Sequence, residues 1–107
     1  MNAAERRARN HYRLRGYRVL GTNVWVAGYE LDLVVRRGRH LVFCEVKEKT
    51  GSRFGDPAEM VTPEKQRRVR RAAEVWLAAR PELHDLSVRF DVVAVEAGAL
   101  RRISAAF

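Results

Sequence analysis

Hydrophobic positions follow two different periods along the chain, and the change of period predicts where helices and strands lie. Apolar residues three or four apart recur over 2–15 and again from 63 to about 80, as in amphipathic helices. The second helix is preceded by Thr62 and starts at Pro63, a typical N-cap followed by proline in the first turn. Short apolar runs bounded by turn residues predict strands over 17–26, 29–36, 40–48, 86–96 and 100–104. The sequence therefore predicts an α/β fold of order α-β-β-β-α-β-β, with a mixed central sheet flanked by helices.

Length and composition favour one folded domain over residues 1–107. The 107 residues can bury one core but not two, and the hydrophobic content of 47% is ordinary for a globular chain. Residues 49–60 carry the turn chemistry of a mobile surface loop. No apolar run approaches the roughly 18 residues of a membrane span, and the Arg-rich start has no apolar signal stretch. We therefore expect a cytoplasmic protein without a membrane partner.

Two otherwise apolar strands carry charged residues at alternating positions. Glu30 and Asp32 lie two residues apart, as do Glu45 and Lys47, so each pair points to one face of its strand. If residues 38–39 form a two-residue hairpin loop, Asp32 lies directly opposite Glu45. The same register places Glu30 opposite Lys47. Directly opposed side chains have Cβ atoms roughly 4.5–5.5 Å apart, so the two carboxylates would repel each other unless they share a cation.

A divalent cation would satisfy this charge cluster. Oxygen ligands suit Mg²⁺ or Mn²⁺, and Asp32, Glu45 and Glu30 are the predicted metal ligands. Such a site fits phosphodiester hydrolysis, in which Lys47 could orient or deprotonate the attacking water or offset charge in the transition state. The alternative is a satisfied salt-bridge cluster on a solvated sheet face, with Glu30 paired to Lys47 or an arginine.

The net charge of +8 favours a polyanionic partner, and 18 of the 21 basic residues are arginines. Arginine makes bidentate phosphate contacts that lysine cannot make. The alternative is that an Arg- and Ala-rich composition reflects genomic base bias. The predicted nucleic-acid-binding residues are the basic positions of the hairpin turn and the second helix: Arg36, Arg37, Arg39, Lys65, Arg67, Arg68 and Arg71.

Five further residues have structural and functional interpretations. Cys44, in an apolar strand, is expected to be a small core residue. Trp25 and Trp76 are expected in the core or an interface, although Trp25 could stack on a base. Gln66 either reaches the site or bonds at the helix end, and Asp91 is expected to be structural.

An ordered set of motifs gives this sequence a family resemblance. Asp32 followed by Glu45-Val46-Lys47 resembles the D…ExK motif of the PD-(D/E)XK nuclease superfamily. The chain more closely resembles the YraN-type family of small bacterial proteins, usually described as predicted endonucleases. Two positions depart from that family: Tyr29 replaces a second glycine, and Glu48-Lys49 replaces Thr-Arg. The other matching segments are Glu5 with Ala8, Gly16-Tyr17, Asn23, Gly28 before Glu30-Leu31-Asp32-Leu33, Leu41-Val42-Phe43, Phe54-Gly55, Val61 with Lys65 and Arg68, and Arg89-Phe90-Asp91-Val92-Val93.

The resemblance implies a restriction-endonuclease-like fold, similar to Holliday-junction resolvases. It implies that Asp32 and Glu45 are metal ligands, that Lys47 is the catalytic base and that Glu5 joins the site; the alternative for Glu5 is an ordinary first-turn acid. The expected function is a Mg²⁺- or Mn²⁺-dependent DNA endonuclease, with branched or damaged DNA as candidate substrates. The alternatives are a dormant nucleic-acid-binding module and a basic protein-interaction domain. Cutting both strands symmetrically would need two copies, so a homodimer is expected.

Overall fold

The computed structural model describes residues 1–49 and 61–107. The predicted order of elements is confirmed, with boundaries within two residues of the predicted ones. A short 3₁₀ turn at Pro81–Leu83, absent from the prediction, follows the second helix. Residues 50–60 of the predicted loop lie outside the described residues. The elements are α1 (Ala3–Leu14), β1 (Arg18–Val26), β2 (Tyr29–Arg37), β3 (His40–Lys49), α2 (Pro63–Ala78), β4 (Ser87–Glu96) and β5 (Ala99–Ile103).

The strands form one five-stranded mixed sheet in the order β1-β2-β3-β4-β5. Neighbouring strands run antiparallel except β3 and β4, which are parallel. A parallel pair needs a crossover connection, and α2 lies within this one. The mixed sheet predicted from the sequence is therefore confirmed.

Each helix covers one face of the sheet, and two of the three apolar clusters among the described residues include helix side chains. Helix α2 packs Val69, Ala72, Ala73 and Trp76 against buried residues of β2 and β3, including Leu31, Val34, Leu41 and Phe43. Helix α1 packs Ala4, Ala8 and Tyr12 against the opposite face, which includes Leu33, Val35, Val42 and Cys44. Central strands buried on both faces read as continuous apolar runs.

Side-chain caps define where both helices begin. Asn2 accepts a hydrogen bond from the Glu5 N–H (2.8 Å), and Glu5 accepts one from the Asn2 N–H (2.9 Å), which completes a capping box. The predicted N-cap of α2 is confirmed, because Thr62 Oγ1 accepts a hydrogen bond from the Lys65 N–H. Neither helix in the described part of the chain is both long and apolar enough to cross a membrane.

The β2–β3 hairpin has the predicted register near its turn and opens before it reaches the acidic residues. Gly38 has a positive φ of 58°, and the strands pair from Arg37 with His40 down to Leu33 with Cys44. The next expected pair, Asp32 with Glu45, does not form. Asp32 Oδ2 instead accepts a hydrogen bond from the Val46 N–H at 2.8 Å.

Candidate metal centre

Three carboxylates from two elements converge where β2 separates from β3. Glu5, Glu30 and Asp32 each offer one oxygen, and these oxygens all lie within 4.8 Å of one another. Within residues 1–49 and 61–107, the ion pairs that form do not involve any of the three. Like charges at this spacing repel, and a cation between them would remove the repulsion. An all-oxygen donor set fits a hard divalent cation such as Mg²⁺ or Mn²⁺. We call these three residues the carboxylate trio.

Glu5 is an acid of the first turn of α1, and its carboxylate also belongs to the trio. One carboxylate oxygen, Oε1, completes the capping box at the start of α1. The other, Oε2, accepts a hydrogen bond from the Asn23 side-chain amide at 2.9 Å. The cap therefore holds Glu5 in place while its carboxylate group, which is largely buried, faces β1 and β2.

Asn23 links two members of the trio, and no functional role was predicted for it. Its amide nitrogen donates to Glu5 and also to Glu30, each at 2.9 Å. Its backbone has a positive φ of 50°, a conformation that asparagine tolerates better than most residues. The available signal was an asparagine within an otherwise strand-like segment, which could not identify its partners.

Asp32 lies at the centre of the site and is harder to ionise than an ordinary aspartate. Burial raises the pKa of Asp32 to about 6; the Val46 N–H hydrogen bond opposes this rise, and the charges of Glu5 and Glu30 add to it. A bound cation would act in the opposite direction and favour the ionised form.

Glu45 lies beside the trio but is not one of the three residues whose oxygens converge. It is 5% exposed, and its Oε1 accepts a hydrogen bond from the Tyr29 hydroxyl at 2.6 Å. Burial, followed by the charge of Asp32, raises the pKa of Glu45 to about 7. Tyr29, one of the two departures from the resembled family, therefore positions the glutamate of the ExK motif.

Lys47 lies next to a lysine from α2. Side-chain contact with Lys65 is the largest cause that lowers the pKa of Lys47, followed by burial. The predicted pairing of Glu30 with Lys47 is wrong, because β2 and β3 are no longer paired at this point and Glu30 bonds to Asn23 instead. The ExK lysine thus has a neighbouring cation from the second helix.

The basic residues predicted to bind nucleic acid lie in two separate places. One group is exposed on α2, where Lys65 contacts Lys47 and Arg68 is close enough to Tyr29 to influence its pKa. The second group, at the hairpin turn, is roughly 13–17 Å from Asp32 along β2, counting four to five residues of strand. The α2 group comprises Lys65, Arg67, Arg68 and Arg71, and the turn group comprises Arg36, Arg37 and Arg39.

The two tryptophans have opposite environments. Trp76 is 3% exposed and packs edge-on against Phe43, which confirms the expected core position. Trp25 is 71% exposed, which excludes the core position, while the interface and base-stacking interpretations stay predictions. Trp25 pairs with Glu30 across β1 and β2, so its indole lies beside the trio. Cys44 is buried, as predicted.

Two other residues with open interpretations have structural contacts. Gln66 donates from Nε2 to the carbonyl oxygen of Val61 at 3.0 Å, which is the helix-end bond considered for it. Asp91 is fully buried and bonds to Tyr12 and Arg89, so its predicted structural role is confirmed.

Sequence comparison assigns the chain to a family. The model of "Uncharacterised protein family UPF0102" matches residues 4–95, and the chain belongs to this family. A UPF0102 protein of Mycolicibacterium vanbaalenii is 52% identical over 87 residues, which span 80% of this chain and 70% of the relative. UPF0102 protein FRAAL5785 of Frankia alni is 49% identical, over 82% of this chain and 72% of its own length. A Klebsiella pneumoniae UPF0102 protein is 36% identical over 99% of this chain and 84% of its own length.

Proposed function

We propose that this member of the UPF0102 family is a metal-dependent endonuclease that hydrolyses phosphodiester bonds of DNA, with a site of the PD-(D/E)XK type. The observation that carries the proposal is the convergence of three carboxylates, none of which forms an ion pair in the described part of the chain, next to Glu45 and Lys47. A purely structural cluster would be expected to include a cationic partner, because buried charge is costly when it is unpaired.

The residues divide the chemical tasks among them. Glu5, Glu30 and Asp32 would hold Mg²⁺ or Mn²⁺. Glu45, whose pKa is raised by the charge of Asp32, would join as a further ligand. When bound, the metal supplies charge stabilisation at the phosphate and activates water. Tyr29 fixes the orientation of Glu45 by its hydrogen bond.

Lys47 is the residue that would move the proton. Contact with Lys65 lowers the pKa of Lys47, which increases the fraction of neutral amine able to accept a proton from water. Lys65, exposed at the start of α2, would bind the neighbouring phosphate of the substrate. The pair of lysines thus combines a base with a phosphate contact.

The surface around the site favours nucleic acid as the substrate. The net charge is +8, and the exposed cations of α2 begin at the site itself. The exposed indole of Trp25 offers a stacking surface beside Glu30, which suits DNA with unpaired bases such as a branched or damaged duplex. Cleavage of both strands would require two copies of the site, and hence a homodimer.

Metal titration followed by a cleavage assay tests the proposal. Calorimetry with Mg²⁺ and Mn²⁺ would compare the wild type with the Asp32→Asn, Glu45→Gln double variant, and labelled duplex, branched and single-stranded DNA would then be assayed. The double variant should lose metal binding and roughly 10²–10³-fold of the cleavage rate. The matched control is Asp85→Asn with Glu74→Gln, two exposed acids away from the trio. Cleavage that survives in the double variant would overturn the proposal.

A second candidate function, a nucleic-acid-binding module with a dormant site, is favoured by the exposed cations on α2. It predicts that DNA binding weakens steeply with salt, with a slope set by the number of phosphates contacted. Metal binding without cleavage of any substrate in the panel would support this candidate over the enzyme.

A further inference from the structure

A cavity lined by arginines lies at the opposite end of the hairpin from the carboxylate trio. It encloses about 320 Å³ and is lined by Gly16, Arg18, Arg36, Arg37 and Gly38. This volume is at the lower end of the range for small-ligand pockets. The lining residues are exposed or half-buried, so the cavity opens to solvent. Every side chain that lines it is cationic, which selects for anions.

Backbone carbonyls and an aromatic ring hold two of these arginines in place. Arg37 donates from Nη1 to the carbonyl oxygen of Arg15 at 3.0 Å, and its guanidinium carbon lies 4.7 Å from the centre of the Tyr17 ring. Arg36 donates from Nε to the carbonyl oxygen of Gly38 at 3.0 Å. These contacts orient the guanidinium groups without neutralising them. The side chains therefore lose less conformational entropy when a ligand binds.

In the described part of the chain, no carboxylate forms an ion pair with the arginines that line the cavity, Arg18, Arg36 and Arg37. Gly16 has a positive φ of 85°, and a Cβ built there would lie 3.6 Å from Arg37 Cδ. A larger residue at Gly16 would therefore be strained by its backbone conformation, and its Cβ would lie in ordinary van der Waals contact with the arginine. Three cations around an open space form a binding site for a group with several acceptor oxygens.

We propose that this cavity binds a phosphate group, supplied either by the backbone of DNA or by a free nucleotide. Arginine matches phosphate geometry through paired N–H donors. If DNA is the source, one strand contacts both the cavity and the trio, a step that rests on the proposed nuclease function. The separation of roughly 13–17 Å along β2 corresponds to about four or five nucleotides at 3.4 Å each. The cavity then holds a phosphate about four or five nucleotides away from the scissile bond.

The test uses ¹⁵N-labelled full-length protein without divalent cations, so that it does not depend on catalysis. Inorganic pyrophosphate, ATP and a short DNA duplex are titrated separately, and the backbone amide signals of Gly16 and Gly38 are followed. The cavity variant is Arg18→Gln with Arg36→Gln. The matched control, Arg7→Gln with Arg101→Gln, removes the same charge from exposed positions outside the cavity.

Pyrophosphate should shift the signals of both glycines, and the cavity variant should weaken its binding about ten-fold, while the control stays close to wild type. A shift of the same signals by DNA identifies the backbone as the source, whereas a shift by ATP without one by DNA identifies a free nucleotide. If none of the probes moves these signals, or if the control variant weakens binding as much as the cavity variant, the inference is wrong. Because the Asp32→Asn variant should give the same shifts, failure of the nuclease proposal remains distinguishable from failure of this one.

Discussion

Two acidic regions of this protein differ in what neutralises their carboxylates. Asp91 is fully buried on β4, and donors surround it. Its oxygens accept hydrogen bonds from the Tyr12 hydroxyl at 2.6 Å, from Arg89 at 2.8 and 3.0 Å, and from the Ala105 N–H at 3.0 Å. One of these donors is a guanidinium group, so the charge is paired within the fold.

The carboxylate trio has hydrogen-bond donors, but among the described residues none of its members forms an ion pair. Glu5 and Glu30 share the Asn23 amide, Glu5 also bonds the Asn2 N–H, and Asp32 accepts the Val46 N–H. All of these donors are neutral, so they orient the carboxylates without removing their mutual repulsion. Asp91 therefore supports the fold as it stands, whereas the proposed binding of an external cation would remove the repulsion within the trio.

The largest expected effect is the loss of stability when the paired carboxylate is neutralised. The Asp91→Asn variant leaves the partly buried guanidinium of Arg89 without its counter-charge, which should lower the free energy of unfolding by about 3 kcal/mol. Denaturant unfolding followed by circular dichroism measures this. Asp85→Asn, at an exposed position, should change it by less than about 0.5 kcal/mol. A loss below roughly 1 kcal/mol for Asp91→Asn would mean that the ion pair with Arg89 contributes little to stability, so that the two acidic regions do not differ as argued.

Divalent cations should stabilise the protein through the trio alone. Mg²⁺ at 100 times its dissociation constant should raise the free energy of unfolding by about 2.7 kcal/mol, because it binds the folded state. Thermal unfolding with and without Mg²⁺ measures the rise. The Asp32→Asn variant should lose the response, while Asp91→Asn, although less stable, should keep it. An equal response in both variants would place cation binding elsewhere.

Protonation of Asp32 and Glu45 should make the metal-free protein more stable as the pH falls from about 8 to 5. Their pKa values in the folded state are raised to about 6 and about 7, from 3.8 and 4.5. The unfolded chain therefore holds these protons less tightly, and their contribution to stability is lost as the pH rises through the folded values. The difference between wild type and the Asp32→Asn, Glu45→Gln variant isolates this effect from other titrations. We expect a change on the order of 1 kcal/mol for each of the two groups across this window. A flat difference, or one of opposite sign, would contradict it.

Local signals were sufficient to predict the fold. The threonine–proline start of α2, the apolar stripe that includes Trp76, and the hairpin register around Gly38 all depend on residues close in sequence. The predicted register is wrong at Asp32, because the Asp32 side chain accepts a hydrogen bond from the Val46 N–H and the backbone pair with Glu45 does not form. The pattern of apolar residues in a strand does not show where its backbone pairing with the next strand will end.

Strand alternation predicted that Glu30 and Asp32 lie close together, but it could not predict that Glu5, rather than Glu45, completes the trio. Leu31 packs with the α2 cluster and Leu33 with the α1 cluster, so the faces of β2 change between them. Glu5 reaches the site from a helix, and only the family resemblance suggested its role. Asn23, which joins Glu5 to Glu30, acts through a left-handed backbone conformation that sequence periodicity cannot detect. Long-range convergence of this kind depends on the tertiary fold.

The smallest expected effect concerns Trp25. Its exposed indole gives the region of the trio an apolar surface, whereas Asp91 is fully buried. Because the indole is 71% exposed, Trp25→Ala should change the free energy of unfolding by less than about 0.5 kcal/mol. Stacking on an unpaired base is worth about 1 kcal/mol at the weak end of its range, so affinity for single-stranded DNA should fall about five-fold. Binding of intact duplex should be unchanged, because its bases are already stacked. Trp25→Phe retains an aromatic face and should restore most of the affinity, as measured by fluorescence anisotropy of labelled oligonucleotides. Equal weakening for duplex and single strand would mean that Trp25 shapes the surface in general and does not contact bases.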